Sequence, residues 1–405
     1  MNLARPRILT INGGSSSIKF ALFELDKSLT RKLDGKIEGV GLAKSVFTIK
    51  GVAGADDFSQ PVSLTDQPAA VRLLLDWIQK RFERGALTAV GHRIVHGGPK
   101  YWESQRITPE MIGDLKQLSS FDPEHLAEEV MLSEAFHRRF PELPQVACFD
   151  TAFHHDMPRV ARLLAIPRKY EANGVRRYGF HGLSYGFLMQ ELERIAGPRV
   201  AKGRVILAHL GGGASMAAVR DGCCLDTSMA FTPAAGLMMN TRSGDMDPGL
   251  ISFMARSEKM TATQFDRMAN HESGLLGVSE TSSDMRELLA REAEDARAAE
   301  AIALFCYQAK KWIGAYAAAL GGLDTLVFAG GIGENAPPVR ARICEGLGFL
   351  GIEVDALRNT KTAGVISTNA SPATIRVIRT DEELMIANSV RHVLDLDASV
   401  EGNEP

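Results

Sequence analysis

The chain has 405 residues, 45% of them hydrophobic and 23% charged, which excludes a single small module and the disordered and fibrous classes. Its 46 basic and 49 acidic residues leave a net charge of −3, so no global positive field holds a nucleic acid or an anionic membrane, and any anion site is local. No apolar stretch approaches the ~20 residues of a spanning helix, and the opening MNLARPRILTING lacks a hydrophobic signal region; a cytoplasmic protein without nucleic-acid or membrane partners is expected.

In chain order, residues 8–25 (ILTINGGSSSIKFALFEL) read as an apolar strand, a Gly/Ser turn and a second, alternating strand. Helical periodicity follows at 69–84 and 126–139. The run QVACFD then predicts a short strand that hands over to a loop at Asp150, and 185–195 predicts another helix. Residues 204–222 (RVILAHLGGGASMAAVRDG) repeat the opening grammar roughly 200 residues later, which implies two similar halves. Helices are predicted at 247–256 and 295–320, the latter apolar on most faces and therefore expected to lie buried under a sheet. The run LVFAGGIGEN (326–335) predicts a buried strand opening into a loop, with a helix started by Pro337-Pro338. Alternating strands and helices argue for an α/β protein.

Five cysteines (Cys148, Cys223, Cys224, Cys306, Cys344) form no CxxC pair, which speaks against structural zinc or a disulfide framework. Cys223-Cys224 follow a turn and read as half-buried thiols flanking a strand. Five histidines (His92, His96, His154, His155, His181) fall in glycine- or aromatic-rich segments where loops are expected.

Three glycine-rich turns each follow an apolar run: 12–17, 211–215 and 330–333. Backbone without Cβ can wrap a phosphate with converging N–H groups, and three such turns in two repeated halves favour a bound nucleotide over simple hairpins. No GxxxxGK[ST] occurs, so a Walker loop is excluded. Gly331 to Ala336 match the dinucleotide pattern GxGxxA, but the match sits late in the chain rather than opening a run of βαβ units. Arg93 (VGHRIVHGG) and Arg242 (MMNTRSGDMDPG) lie in turn-rich segments, where a guanidinium fork grips a carboxylate or phosphate or else forms a structural ion pair. Asp150 at a strand end suits a Mg²⁺-directed or orienting carboxylate, with an N-cap as the plain alternative. His181, between Phe180 and Gly182, is a candidate donor to a transferring phosphoryl oxygen or a packed ring.

Nine strings in order, NGGSSSIKF (12–20), GHRIVHGG (91–98), FDTAFH (149–154), RRYGFHG (176–182), HLGGGAS (209–215), DTSM with TRSGDMDPG (226–249), SSDMR (282–286), GGIGEN (330–335) and TDEEL (380–384), closely resemble the acetate kinase family of acetate and propionate kinases. The family lies within the acetate and sugar kinase, heat-shock chaperone and actin superfamily. The resemblance implies a two-domain, actin-like ATPase fold of duplicated ribonuclease H-like domains with the active site in the interdomain cleft. Residues 1–150 plus 382–405 are expected to form one domain and 151–381 the nucleotide-binding one.

The resemblance also implies roles. Asn12 and Glu382 match magnesium ligands, with Mn²⁺ a possible substitute, and Lys19 matches a residue at the nucleotide phosphates. Arg93 matches the holder of the substrate carboxylate, Val95, Phe180 and Pro233 match the wall of its small apolar pocket, and His125 falls beside them. Asp150, His181 and Arg242 match the catalytic set, with Asp150 expected to orient His181, Arg242 or metal-bound water. His209, Leu210, Gly211, Gly212 and Gly213 match a phosphate loop. Asp284, Met285 and Arg286, with Gly331, Ile332, Gly333, Glu334 and Asn335, match the adenosine side. The implied reaction is in-line transfer from ATP to a short carboxylate, giving ADP and an acyl phosphate, in a homodimer.

This chain departs from the family at Glu124 in place of an apolar residue near the acyl pocket, Gly212 and Asp381 in place of asparagines, Ala234-Ala235 in TPLEG, and Tyr185 in the GTSH ending. Propionate or another small acid therefore remains open as substrate. A non-kinase ATP switch of the same fold is the rival from another class, and Arg93 with His181 and Arg242 argues against it.

Overall fold

A computed structural model describes residues 5–397 apart from 15, 16, 43, 53, 55, 56, 84, 123 and 124. Glu124 thus lies outside the described residues. Contacts divide the chain into two units, one running through Ala152 and resuming at Asp381, the other Phe153–Thr380.

Unit 1 is built on β1 (Arg7–Gly14), β2 (Ser17–Leu25), β3 (Leu29–Glu38), β4 (Ser45–Gly51), β5 (Phe58–Val62), β6 (Ala89–Ile94), β7 (Gln105–Arg106) and β8 (Gln145–Phe149), ordered β5-β4-β3-β2-β1-β6-β8-β7. β1 pairs antiparallel with β2 and parallel with β6, which pairs parallel with β8. Unit 2 holds β9 (Val205–Leu210), β10 (Ala214–Arg220), β11 (Cys223–Thr227), β12 (Thr325–Ala329) and β13 (Thr374–Val377), ordered β11-β10-β9-β12-β13. Here β9 pairs antiparallel with β10 and parallel with β12, which pairs parallel with β13. The sequences β3-β2-β1-β6-β8 and β11-β10-β9-β12-β13 match strand for strand and sense for sense, so the repeat seen in the amino-acid sequence is a duplicated sheet.

The inner parallel strands β8 and β12 are buried at every residue, as expected of strands covered on both faces. In unit 1 one cover is α1 (Gln67–Arg81), which starts where Asp66 accepts the Ala69 N–H at 2.8 Å and buries Ala70, Val71, Leu74, Leu75 and Ile78 at helical spacing. Further helices are α2 (Pro109–Leu118) and α3 (Leu126–Arg139). The C-terminal helix, Glu382–Val393, lies against β6 because residue 91 is glycine: a Cβ there would come within 2.4 Å of Ile386 and 2.7 Å of Val390. Asp381 caps this helix through the Leu384 N–H at 2.9 Å and pairs with Arg31 at 2.5 Å, which gives the aspartate a local reason to stand where asparagine is usual.

Three expectations are corrected. His92 is a strand residue of β6, 1% exposed, not a loop residue, because β6 is an inner strand whose polar side chain packs edge-on to Phe136. Residues 330–335 form a helix directly after β12 rather than a loop, with Gly330 at φ 76° making the turn against Leu210. The helix Ala296–Leu320 buries one face, including Ile302, Phe305, Ala309, Ile313 and Tyr316, but Leu304 and Tyr307 on the other are exposed. Among the described residues no helix is long and apolar enough to cross a membrane.

Candidate active site

In unit 1 one buried guanidinium, that of Arg93, joins two carboxylates. Arg93, expected in a turn, lies instead on the inner strand β6, and donates from Nε and Nη2 to Asp150 Oδ2 at 3.0 and 2.6 Å, and from Nη1 to Glu129 Oε1 at 3.2 Å and the Gly13 carbonyl at 3.4 Å. Asp150 follows β8 directly, and its N–H donates to the Ile94 carbonyl at 3.0 Å, so adjacent parallel strands bring cation and anion together. Burial alone would lower the Arg93 pKa, but Asp150 and Glu129 outweigh it and the net shift is upward, keeping the fork charged. In unit 1 Asp150 is therefore the partner of Arg93, which adds a specific contact to its expected orienting role.

Glu129, on α3, was not singled out from the sequence. It is 2% exposed, and its Oε2 accepts the Val95 N–H at 2.6 Å. Burial pushes its carboxyl well above the usual range, against the pull of Arg93 and the Val95 amide. His125 stands one turn earlier, its Nδ1 3.0 Å from Asp122 Oδ1. Asn12, near the end of β1, donates through Nδ2 to Glu382 Oε2 at 2.9 Å, and Lys19 is the cross-strand neighbour of Asn12 on β2. The Asn12 carbonyl and the Glu382 carboxylate are hard oxygen donors. Two such ligands fit Mg²⁺, which keeps several waters and takes its remaining ligands from substrate phosphates.

In unit 2, His181 sits at φ 59° ahead of the helix Gly182–Ala196. Its Nδ1 lies 2.8 Å from Ser215 Oγ, which lies 2.5 Å from the Tyr185 hydroxyl. Its ring stacks on His209 with centroids 4.4 Å apart. A Cβ on Gly213 would stand 3.2 Å from His181 Nε2 and 4.0 Å from Arg242 Nη1, so both side chains lie beside Gly213, and it is His181 that a side chain there would crowd. Arg242 Nη1 also lies 3.5 Å from the Pro233 carbonyl. Phe180 is buried, and its carbonyl accepts from His154 Nε2 at 2.9 Å.

The loop that follows β9 meets the helix Gly330–Asn335: Gly330 packs on Leu210, and a Cβ on Gly211 would be 3.7 Å from the Gly331 N. Glu334 Oε1 accepts the N–H groups of Gly330 (3.0 Å) and Thr380 (3.2 Å), and Asn335 donates to the Gly331 carbonyl at 3.0 Å. Ile332 and Gly333 are buried. His209 Nδ1 lies 2.8 Å from Ser184 Oγ. Asp284 caps the helix Met285–Arg291; the Arg286 side chain bonded to it at 2.5 Å holds its carboxyl below the usual range, while Met285 is buried. At Gly212, where asparagine is usual, the Asn240 carboxamide nitrogen stands 3.6 Å from where a Cβ would be, and its Oδ1 is buried without a hydrogen-bond partner.

Unit 1 thus contains Asn12, Lys19, Arg93, Val95, His125, Asp150 and Glu382, of which Arg93 with Asp150 and Asn12 with Glu382 are in contact. Unit 2 contains Phe180, His181, His209 to Gly213, Pro233, Arg242, Asp284 to Arg286 and Gly331 to Asn335; His181, His209, Gly213 and Arg242 lie together, whereas among the described residues no contact ties Asp284 to Arg286 to them.

The model of the Acetokinase family matches residues 7–388. The acetate kinase of Rhodopseudomonas palustris is 43% identical over 394 residues, covering 96% of this chain and 98% of that protein. The crystal structure of Porphyromonas gingivalis acetate kinase, 38% identical, superposes with a TM-score of 0.86 over 96% of this chain and 100% of that one. That of a propionate kinase from Francisella tularensis, 35% identical, gives 0.88 over 95% and 98%.

Proposed function

The chain belongs to the Acetokinase family, and from that premise we propose that it transfers the γ-phosphoryl group of ATP directly to the carboxylate of acetate, or of propionate as the alternative, giving an acyl phosphate and ADP. It is a phosphotransferase with a carboxyl group as acceptor, and its fold is the actin-like ATPase fold. The dinucleotide reading of residues 331–336 is set aside by this membership.

The observation that carries the reading is His181 and Arg242 standing together beside Gly213. A carboxylate nucleophile is ionised at neutral pH and needs no strong base; the difficulty is bringing one anion against another. The acid oxygen forms its bond to the γ-phosphorus as the bond to the β–γ bridging oxygen breaks, and ADP leaves with that electron pair. Arg242 and His181 face the charge on the phosphoryl oxygens, where a fixed donor contributes about 3–4 kcal/mol. In this reading Tyr185 donates to Ser215 and Ser215 to Nδ1, an assignment that puts the His181 proton on Nε2, the atom that faces Gly213.

Arg93 receives the acid, with Val95 beside it, and Asp150 fixes the direction of the fork. The glycine turn 211–213 and the N-terminus of the helix Gly330–Asn335 hold nucleotide. Asn12 and Glu382 would hold Mg²⁺, or Mn²⁺ in its place, which when bound would screen phosphate charge. The protein acts in the cytoplasm as a homodimer, as the resemblance to the family implies. The test is the reverse reaction: acetyl phosphate with Mg-ADP yields ATP, and absence of ATP formation from both acetyl and propionyl phosphate contradicts the proposal.

A further inference from the structure

The residues assigned above to the acid carry one carboxylate more than the reaction needs. Asp150 takes Nε and Nη2 of Arg93, Glu129 takes Nη1, and the Gly13 carbonyl lies at 3.4 Å from the same nitrogen. These four bonds engage four of the five N–H donors of a guanidinium. Arg93 therefore already faces two buried carboxylates, with side chains 1% and 2% exposed, before any substrate arrives. Glu382 acts on the same guanidinium from farther off, so a substrate carboxylate would add one more anion to an already neutralised cation, in surroundings that screen charge poorly.

The two oxygens of Glu129 have different duties. Oε2 holds the Val95 N–H at 2.6 Å, a short bond to the backbone of the proposed acyl-pocket wall, while Oε1 holds Arg93 at the longer distance of 3.2 Å. A proton on Oε1 ends its claim on Nη1, frees that N–H for the substrate and turns Oε1 into a donor. Oε2 meanwhile keeps the Val95 amide in register.

Resting on the carboxylate-kinase reading, we infer that Glu129 is a positioning residue that sets acid affinity through proton-linked competition for Arg93: the acid binds when Glu129 takes up a proton and is opposed as it ionises. The charged groups facing Glu129 are Arg93 from β6, Asp150 beyond β8 and Asp122 ahead of α3, with Glu128 as its neighbour on α3. Burial and the two aspartates favour the protonated form, while Arg93 and the Val95 amide oppose it. Removing the Glu129 charge leaves Arg93 neutralised by Asp150, and a glutamine that keeps its oxygen on the Val95 N–H turns a donor toward Nη1, as a protonated Oε1 does.

The experiment measures the acid KM of wild type and Glu129→Gln at saturating Mg-ATP across about pH 6 to 9, a range in which acetate stays ionised. In wild type the acid KM rises with pH, approaching about tenfold per pH unit once Glu129 ionises. In Glu129→Gln it is flat, and the ATP KM is the same in both. Glu129→Asp, which keeps a titrating carboxyl, retains a slope. Identical profiles for wild type and Glu129→Gln, an acid KM raised by one factor at every pH, or a flat Glu129→Asp profile overturns the inference. If wild type forms no acyl phosphate from any short acid, the carboxylate reading falls and this inference falls with it.

Discussion

Replacing Tyr185 by Phe deletes one oxygen atom and leaves the apolar packing of the ring in place. That oxygen is 2.5 Å from Ser215 Oγ, and both residues are 0% exposed, so no solvent replaces the lost partner. A buried hydroxyl left short of a partner costs about 1–3 kcal/mol. Part of that cost falls on the native state as a whole and part on His181, because Ser215 is then free to turn away from Nδ1. If about 1–1.8 kcal/mol reaches the transition state, kcat falls roughly 5- to 20-fold. The acid KM stays within about twofold, since the acid carboxylate is assigned to Arg93, whose bonds to Asp150 and Glu129 do not involve Tyr185 or Ser215. Hydroxamate formation gives kcat and KM, and the ¹⁵N shifts of the imidazole report which nitrogen carries the proton. An unchanged kcat refutes the relay, and so does a reduced kcat with the His181 tautomer unaltered.

Arg93→Ala should raise the acid KM, whereas Arg242→Ala should mainly lower kcat; indistinguishable kinetics in the two variants contradict the division of roles. Arg93→Ala also strands two buried carboxylates and should lose about 3–5 kcal/mol in urea unfolding, while Arg242→Ala should not. Gly213→Ala puts a methyl group 3.2 Å from His181 Nε2 and should cut kcat about tenfold or more with nucleotide affinity less affected; a full-rate variant refutes the contact. His92 and His154 are held to about pH 4 by burial. The unfolded chain protonates them first, near pH 6.5, so stability present above that value drains away as pH falls toward 4. At pH 5 each should cost about 2 kcal/mol, and thermal unfolding of His154→Gln should show a shallower acid loss than wild type.

The duplication was legible because β1–β2 and β9–β10 share apolar periodicity and glycine turns. The helix pattern at 126–139 coincides with α3, and that at 295–320 starts one residue early, at the capping Asp295. The strands β3 and β5 went unread because β3 mixes Lys, Arg and Asp with few apolar residues and β5 is mostly exposed, so neither gives a clean alternation; β4 was missed although Ser45, Phe47 and Ile49 alternate inward. Glu129 was missed although a signal existed. Leu126, Val130, Ser133 and Phe136 mark the buried stripe of α3, and position 129 falls on it, so a carboxylate there is an anomaly that a helical projection exposes. What no local pattern could supply is its partner, because Arg93 is 36 residues away and meets it only through packing of α3 on the sheet. The Tyr185 contact was hidden for the same reason: Tyr185 stood out as a departure, but Ser215 reaches it from β10, 30 residues on.

The central claim is that a carboxylate receives the phosphoryl group. The direct measurement incubates the protein with Mg-ATP and acetate, propionate, butyrate or glycolate and traps acyl phosphate with hydroxylamine. The account predicts hydroxamate from acetate or propionate, in amounts equal to the ADP released. ADP release at the same rate with and without acid, and no hydroxamate from any of the four, would contradict it.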